Sequence, residues 1–252
     1  MTNPADVLLR ARDVTCRFGG LVAVDHVSLD LQRGMVHAVI GTNGAGKSTL
    51  VNILSGELGA SGGSVELRGV DVTRWSQPRR ARAGLGRSYQ RSTVYPGFSV
   101  LENCRLAAQA RHPRPWAWWA DASRCELSVP AARDAVARAG LADVHDRAAG
   151  LLSHGQRRQL EIAMCLATGP EVLLLDEPMA GMGAEETERM LRLLADLKPG
   201  HAIALIEHDM DAVFRIADRI TVMVNGAVIA SDTPDAVRHN AEVQAAYLGG
   251  HA

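Results

Sequence analysis

Short apolar runs separated by glycine and polar residues recur along this chain of 252 residues and predict its strands and helices. Residues 36–40 form a mostly apolar run that ends at Gly41, which predicts a buried strand. Residues 46–55 follow with apolar side chains at helical spacing, and Gly56 is a typical residue to stop a helix. The pattern therefore predicts a strand, a glycine-rich loop and a helix in succession.

Strands and helices alternate through much of the rest of the chain. The further predicted strands are residues 27–31, 64–68, 171–175, 202–206, 220–224 and 227–231, and the predicted helices are residues 184–197 and 209–217. Asn225 and Gly226 separate the last two strands, which is typical of a tight hairpin. Alternation of this kind predicts an α/β core with a parallel sheet.

The middle of the chain, roughly residues 91–151, has helical patterns and no convincing strand. Residues 100–110 and 131–139 predict helices, so we expect a helical subdomain inserted into the α/β core. Trp116, Trp118 and Trp119 interrupt this region. They can pack within the subdomain, which we favour, or touch a membrane partner or lipid.

Composition narrows the function classes only slightly. Hydrophobic residues make up 47% of the chain, charged residues 22%, and the formal net charge is -1, so composition gives no sign of nucleic-acid binding. No apolar run reaches the roughly 18 residues that suggest a membrane span, and the first residues do not resemble a signal peptide. The four cysteines are far apart in the sequence, which is typical of free thiols in a reducing cytoplasm.

Residues 41–49 match the phosphate-binding pattern G-x-x-x-x-G-K-[ST]. The glycines let the backbone wrap tightly and direct N–H groups at a phosphate, and the following helix directs its positive end at the same point. Lys47 adds a full charge near the β and γ phosphates, and the Ser48 hydroxyl would ligate Mg²⁺. The candidate nucleotide-binding residues of this loop are Gly41, Asn43, Gly44, Ala45, Gly46, Lys47, Ser48 and Thr49.

Two carboxylates, Asp176 and Glu177, follow the apolar run at residues 171–175. If the fold brings them beside the loop, Asp176 can hold Mg²⁺ through water, and Glu177 can polarise the attacking water as a general base. The pair is a weak signal by itself, because loops contain many acidic residues.

Taken in order, these and three further motifs resemble those of ATP-binding cassette (ABC) subunits over nearly the whole chain. Residues 152–156, Leu-Ser-His-Gly-Gln, resemble the family signature that precedes the carboxylate pair. Gln90 resembles the Q-loop glutamine, and His208 resembles the switch histidine. Phe18 lies where the family's adenine-stacking aromatic usually lies.

The resemblance implies a P-loop NTPase core with a parallel sheet, an N-terminal antiparallel β portion and an inserted helical subdomain. Residues 1–252 would form a single ABC ATP-binding domain. Its nucleotide-binding core would comprise residues 1–90 and 165–252, and its helical subdomain residues 91–164.

The signature has two compatible interpretations. Ser153 and Gln156 form a capping box, S-x-x-Q, that predicts a helix over residues 154–167. A capped helix N-terminus is also an anion site. The resemblance implies that Ser153, Gly155 and Gln156 face the γ phosphate of a nucleotide bound to a second subunit.

The resemblance also assigns roles to two isolated polar residues. Gln90 would reach Mg²⁺ and sense the membrane partner, and His208 would hydrogen-bond the γ phosphate. Without the other motifs, Gln90 is an ordinary surface glutamine and His208 an ordinary residue at a helix start. Three positions depart from the family pattern: Thr42 replaces a common proline, His154 a glycine, and Gly183 an aspartate that contacts the partner across the dimer.

Within the family, residues 18–24, 180–182, 207–210 and 246–249 resemble cytoplasmic subunits of branched-chain amino acid importers. Urea and short-chain amide importers share much of this pattern. The resemblance implies ATP and Mg²⁺ as cofactors and a peripheral position at the cytoplasmic face of the inner membrane. It implies integral membrane permease subunits, a second ABC subunit (identical or related) and, indirectly, a periplasmic binding protein as partners.

Two other classes of protein stay open at this point. A soluble ABC ATPase acting on DNA or ribosomes usually carries a long coiled coil or two cassettes, and this chain has neither. A P-loop small-molecule kinase would not need the motif at residues 152–156 or His208.

Overall fold

The computed structural model describes residues 6–89, 93–111 and 125–248. The strands are β1 (Val7–Phe18), β2 (Leu21–Gln32), β3 (Met35–Gly41), β4 (Gly62–Leu67), β5 (Val70–Asp71), β6 (Leu85–Arg87), β7 (Val172–Asp176), β8 (Ala202–Ile206), β9 (Arg219–Val224) and β10 (Ala227–Asp232). The helices are α1 (Lys47–Ser55), α2 (Gln77–Arg82), α3 (Val100–Arg111), α4 (Ser128–Arg138), α5 (His154–Ala167), α6 (Ala184–Leu197), α7 (Met210–Ile216), α8 (Pro234–Arg238) and α9 (Ala241–Leu248).

Six strands form a sheet in the order β10-β9-β3-β8-β7-β6. All neighbouring strands in it are parallel except the terminal β9–β10 hairpin. Strands β7 and β8 are buried at every position, as continuous apolar runs predict for parallel strands covered on both faces. The predicted α/β fold class with a parallel sheet is therefore confirmed.

The N-terminal part forms a second, antiparallel sheet in the order β2-β1-β4-β5, which confirms the predicted antiparallel portion. Strand β1 was not predicted, and β2 was predicted only at residues 27–31. The register of β1 against β2 shifts between Ala11 and Val14, and Asp13 between them has a left-handed φ of 47°. Such irregularities interrupt the two-residue period on which strand prediction depends.

The middle of the chain contains helices, as predicted. Helices α3, α4 and α5 bury apolar side chains against one another, among them Cys104, Ala132 and Leu160. The only strand-type pairing among the described residues here is a single bridge between Ser99 and Ala148. In the described part of the chain, no helix combines the length and apolar character needed to cross a membrane. The three tryptophans lie outside the described residues.

Five short elements were not predicted: β5, α2, β6, α8 and α9. Strand β6 has three residues, too few to show a period. A signal for α8 was present, because Thr233 precedes Pro234 and its hydroxyl accepts a hydrogen bond from the backbone N–H of Ala236. Threonine at the N-cap followed by proline at the first helical position is a typical helix start.

One buried arginine of α2 donates hydrogen bonds to the C-terminal end of α1, the helix that follows the glycine-rich loop. Arg80 donates hydrogen bonds to the carbonyl oxygens of Ile53 (2.8 Å), Leu54 (2.8 Å), Thr73 (3.0 Å) and Trp75 (3.3 Å). Burial lowers the pKa of Arg80 to about 10, so the side chain is still cationic at neutral pH. A cation there satisfies carbonyls that have no partner within the helix and interacts favourably with the helix dipole.

Replacement of this arginine should destabilise the protein. We expect Arg80→Met to lower the free energy of unfolding by about 3 kcal/mol, because several carbonyl oxygens lose their donor in a buried position. Denaturant unfolding followed by circular dichroism measures the change. Arg82 lies on the exposed side of α2, the helix that also contains Arg80, and Arg82→Met should change the free energy of unfolding by less than about 0.5 kcal/mol. Equal stabilities of the two variants would contradict the structural role of Arg80.

Candidate functional site

The loop at residues 41–49 is packed closely against two neighbouring strands. A Cβ atom on Gly41 would lie 2.2 Å from the carbonyl oxygen of Met223, and one on Gly46 would lie 2.2 Å from that of Ala23. Gly46 also has a left-handed φ of 94° immediately before α1. Because no side chain fits at these distances, glycine is required for the loop to run this close to β2 and β9.

An open cavity of about 730 Å³ lies beside this loop. Loop residues 43–49 line it together with Phe18 at the end of β1 and Glu177 directly after β7. Phe18 is 51% exposed, although it ends a strand whose other apolar residues are largely buried. The volume is within the range of small-molecule sites. The cavity is therefore lined by the predicted phosphate-binding loop, by Phe18 and by Glu177.

Some residues that line the cavity beside the glycine-rich loop were not predicted from the sequence. Residues 21–23 of β2 and the turn of Asn225 and Gly226 also line it. The Gly226 N–H donates to the Ala45 carbonyl at 3.1 Å, and the Gly226 carbonyl accepts from the Asp25 N–H at 2.8 Å. The Asn-Gly pair was a signal for the turn itself, but only the fold places that turn against the loop.

Lys47 is held by the loop to which it belongs. Its Nζ donates to the carbonyl oxygens of Gly41 at 2.7 Å and Thr42 at 3.0 Å. Burial lowers the pKa of Lys47, while the negative charges of Glu177 and Asp176 act in the opposite direction. The ammonium group therefore lies within the field of both predicted carboxylates, although these follow a strand distant in the sequence.

Asp176 is a buried carboxylate at the end of β7, with only 4% of its surface exposed. Its backbone N–H donates to the Ser88 hydroxyl at 3.3 Å, but its side-chain Oδ1 has no hydrogen-bond partner among the described residues. Burial raises the pKa of Asp176, and the positive charge of Arg87 is the largest effect opposing that rise. An unsatisfied buried oxygen is costly unless a ligand completes it.

The donor groups fit Mg²⁺ shared with a phosphate ligand. Among the described residues, no group of three or more His, Cys, Asp and Glu side chains could hold a metal ion. Mg²⁺ is usually bound through one or two protein oxygens, substrate phosphates and waters. The unsatisfied Oδ1 of Asp176 and the Ser48 hydroxyl in the cavity lining are oxygen donors of this kind.

Glu177 and His208 follow adjacent strands and lie near each other. The Glu177 N–H donates to the Ile206 carbonyl at 2.9 Å, and His208 Nδ1 lies 3.9 Å from Glu177 Oε1. Glu177 has a left-handed φ of 49°, which costs about 1 kcal/mol in a residue with a side chain. Backbone strain of this type is concentrated at functional sites, where surrounding contacts maintain it.

Glu207 was missed as a site residue. It is 1% exposed, its Oε1 accepts from the Met179 N–H at 2.9 Å, and its Oε2 accepts from the His208 N–H at 3.2 Å. Burial raises the pKa of Glu207, although these hydrogen bonds act against the rise. The side chain therefore joins the segment after Glu177 to the segment that carries His208. A charged residue directly after the apolar run at 202–206 was the available signal.

The predicted capping box is present at the start of α5. The Gln156 N–H donates to the Ser153 hydroxyl oxygen at 3.2 Å, and Gln156 Oε1 accepts from the Ser153 N–H at 3.1 Å. The structure does not bring this helix end to Lys47 within the chain, since Ser153, Gly155 and Gln156 are absent from the described lining of that cavity.

Gln90 lies outside the described residues. Close to it in the chain, Tyr89 lines a second cavity of about 270 Å³ between α2, β6 and α5. Gln77 lies on one side of this cavity, and Glu161 and Met164 of α5 lie on the other. The Arg158 side chain links the two sides by donating to the Tyr89 carbonyl at 3.3 Å.

Comparison with known proteins identifies this arrangement. The family described as ABC transporter matches residues 24–180, more than half of the chain. The chain belongs to the ABC transporter ATP-binding family. A second family, described as branched-chain amino acid ATP-binding cassette transporter, matches residues 227–252 of this ABC subunit.

Individual relatives match the ABC subunit over most of its length. It is 38% identical over 251 residues to the high-affinity branched-chain amino acid transport ATP-binding protein BraF of Pseudomonas aeruginosa, covering 96% of this chain and 98% of BraF. It is 37% identical over 255 residues to LivG of Escherichia coli strain K12, described by the same function, with the same coverages. The ADP conformation of MJ1267, an ATP-binding cassette of an ABC transporter, matches with a TM-score of 0.87, 30% identity and coverages of 96% and 99%. The chain is thus an ATP-binding and ATP-hydrolysing subunit of an ABC transporter.

The buried carboxylate of Asp176 should lower the stability of the nucleotide-free protein. At pH 7 we expect Asp176→Asn to raise the melting temperature by about 2–4 °C, the shift that about 1 kcal/mol produces in a chain of this size. Because the folded pKa of Asp176 is raised, the folded state binds the proton more tightly, and this group's contribution to stability falls as the pH rises through that pKa. The gain should therefore shrink as the pH falls through the raised pKa of Asp176, because the native carboxyl is then protonated.

Thermal unfolding of both proteins between about pH 4 and pH 8 measures this difference. Asp196→Asn removes an exposed carboxylate on α6 and should have little effect at any pH. The additional stabilisation by Mg²⁺ in the presence of ATP should be lost in Asp176→Asn. A lower melting temperature of Asp176→Asn than of the wild type at pH 7 would show that the carboxylate is stabilising.

Proposed function

We propose that this ABC subunit drives a membrane importer for branched-chain or other hydrophobic amino acids. The observation that carries the proposal is the match of residues 227–252 to the branched-chain amino acid family, in a chain similar over its full length to BraF and LivG. A putative ribose/galactose/methyl galactoside import protein of Burkholderia cenocepacia is also 38% identical, but the chain covers only 43% of it. The full-length similarity therefore favours amino acids over sugars.

The chain acts in this proposal as one ABC domain attached to membrane subunits. Residues 1–90 and 165–252 form its nucleotide-binding core, and residues 91–164 form its helical subdomain. The cavity beside Tyr89, between α2 and α5, receives a cytoplasmic helix of an integral membrane permease, and Gln90 senses it. The subunit is peripheral at the cytoplasmic face of the inner membrane, and a periplasmic binding protein delivers the amino acid.

The nucleotide site is completed by a second ABC subunit, identical or related. The support for this is the position of α5, whose capped N-terminus lies apart from the chain's own loop cavity. Two subunits would enclose two ATP molecules, each between the loop of one subunit and Ser153, Gly155 and Gln156 of the other. ATP closes the pair because helix ends and Lys47 stabilise its charge.

The residues around the cavity have separate tasks in hydrolysis. Phe18 stacks on the adenine, and the N–H groups of residues 41–49 bind the phosphates, toward which Lys47 turns from its two carbonyl partners. Ser48, Gln90 and, through water, Asp176 would hold Mg²⁺, which would supply positive charge to neutralise the charge that develops on the phosphates.

Hydrolysis itself needs a base beside the γ phosphate. Glu177 accepts a proton from the water whose oxygen attacks the γ phosphorus, and the bond to the ADP oxygen breaks. His208, 3.9 Å from Glu177, hydrogen-bonds the γ phosphate. Release of phosphate removes the charge that held the two subunits together, and the pair opens.

Loss of the general base should separate binding from hydrolysis. We expect Glu177→Gln to lower the rate of ATP hydrolysis by about 100-fold or more. Binding of a fluorescent ATP analogue should be retained, because the loop and Lys47 are unchanged. Phosphate release from MgATP measures turnover, and Glu185→Gln, which removes an exposed carboxylate on α6, is the matched control. Wild-type turnover in Glu177→Gln would rule out the role of Glu177 as base.

The substrate class can be tested in cells of the source organism. Deletion of the gene that encodes this chain should reduce uptake of labelled leucine, isoleucine and valine. Expression of the wild-type chain should restore this uptake, whereas expression of the Glu177→Gln variant should not. Uptake of labelled urea and acetamide is measured in parallel. A loss of urea or amide uptake with normal leucine uptake would instead identify an amide importer. Unchanged uptake of every compound would contradict the proposed substrate class.

A further inference from the structure

The N-terminus of α5 already holds a negative charge within this chain. Oε1 of Glu186, in the first turn of α6, accepts a hydrogen bond from the Gly155 N–H at 3.1 Å and from the Ser153 hydroxyl at 3.3 Å. Both donors are groups that the proposed function assigns to a phosphate. Helix N-termini favour anions, so a carboxylate satisfies donors there that have no partner within the helix.

The approach of Glu186 to α5 depends on glycine at position 155. A Cβ atom on Gly155 would lie 2.6 Å from Glu186 Oε1, which is closer than a side chain allows. Among the described residues, no basic side chain forms an ion pair with Glu186, so the helix end is its main electrostatic partner there. Glu185, by contrast, is 92% exposed and pairs with Arg189 on the same helix.

A second contact joins the same two parts of the chain. His154, which replaces the family's usual glycine, has its Nε2 at 3.0 Å from the Ala180 carbonyl, and Nε2–H donates this hydrogen bond. Ala180 and Glu186 both lie in the segment that runs from Glu177 into α6. The signature end of α5 is therefore tied to this segment of its own subunit at two points.

We propose that Glu186 competes within the chain with the nucleotide of the second subunit. In the separated subunit its carboxylate holds the Ser153 and Gly155 donors, and closure of the ATP-bound pair displaces it. This inference rests on the proposed function, because it requires that these donors bind a γ phosphate in the closed pair. Two anions cannot share the same N–H and O–H groups, so one must leave.

The competition favours ATP over ADP. The γ phosphate has more charge and more acceptor oxygens than a carboxylate, so it can replace Glu186 at the helix end. ADP lacks this group and leaves Glu186 in place. Glu186 therefore sets the concentration of ATP at which two subunits close, and it keeps α5 occupied when only ADP is bound.

The test measures dimerisation of the full chain as a function of MgATP concentration, in a Glu177→Gln background that slows hydrolysis. Adding Glu186→Gln keeps the shape of the side chain and removes its charge. We expect it to lower the ATP concentration for half-maximal dimerisation by about tenfold, the effect of losing one charge-assisted hydrogen bond. Light scattering during size-exclusion chromatography reports the dimer. Glu185→Gln, the matched loss of charge one residue away, should leave the concentration within about twofold of the parent.

Glu186→Asp gives a second measurement if the glutamine variant folds poorly. It keeps the charge but shortens the side chain by one methylene group, and we expect a shift in the same direction by a smaller factor. The inference is overturned if the Glu186 variants need as much ATP as Glu185→Gln, or more.

Ser153→Ala in the same background separates this inference from the proposed function. Suppose that the parent dimerises with MgATP, that Ser153→Ala weakens this dimer, and that Glu186→Gln needs the same ATP concentration as Glu185→Gln. The role of Glu186 is then wrong, and the shared nucleotide site stands. If the parent shows no ATP-dependent dimer, or if Ser153→Ala leaves it unchanged, the shared site fails and the role of Glu186 fails with it.

Discussion

The parallel pairing of β3, β8 and β7 is the constraint on which the rest of the site depends. In a parallel sheet the carboxyl ends of neighbouring strands lie at one edge, and ligands bind beyond that edge. The loop with Lys47 leaves β3, His208 follows β8, and Asp176 and Glu177 end or follow β7. A different strand order would separate the ammonium from the carboxylates along this edge, and a reversed strand would carry its carboxyl end to the opposite edge.

Several groups at this edge are in unfavourable states without a ligand. Asp176 is buried with an unsatisfied oxygen, and Glu177 has a strained backbone. Lys47 is partly desolvated and directed at two carbonyls of its own loop. A nucleotide with its metal ion would satisfy the carboxylate and the ammonium together. Ligand binding at this edge should therefore stabilise the fold as well as prepare hydrolysis, since a ligand that binds only the folded state stabilises it.

The segment after Glu177 connects the hydrolytic groups with the signature helix of the same subunit. Its Met179 N–H is held by Glu207, which also holds the His208 backbone. Farther along, Ala180 contacts His154, and Glu186 contacts Gly155. In the proposed function, a movement of Glu177 or His208 on phosphate release would thus have a continuous, hydrogen-bonded route to the helix end that meets the second subunit.

Local patterns in the sequence determined the glycine-rich loop, the buried strands around it, the two carboxylates at the end of β7 and the capped start of α5 at Ser153. Each of these depends on residues within a few positions of one another, and chain-local steric and hydrogen-bonding rules are sufficient to predict them. The tertiary structure alone decided that the Asn225–Gly226 turn completes the cavity, that Glu207 joins two loops and that Glu186 occupies the end of α5. These contacts join residues far apart in the sequence or on different elements, so their existence depends on strand order and helix packing, which no local pattern contains.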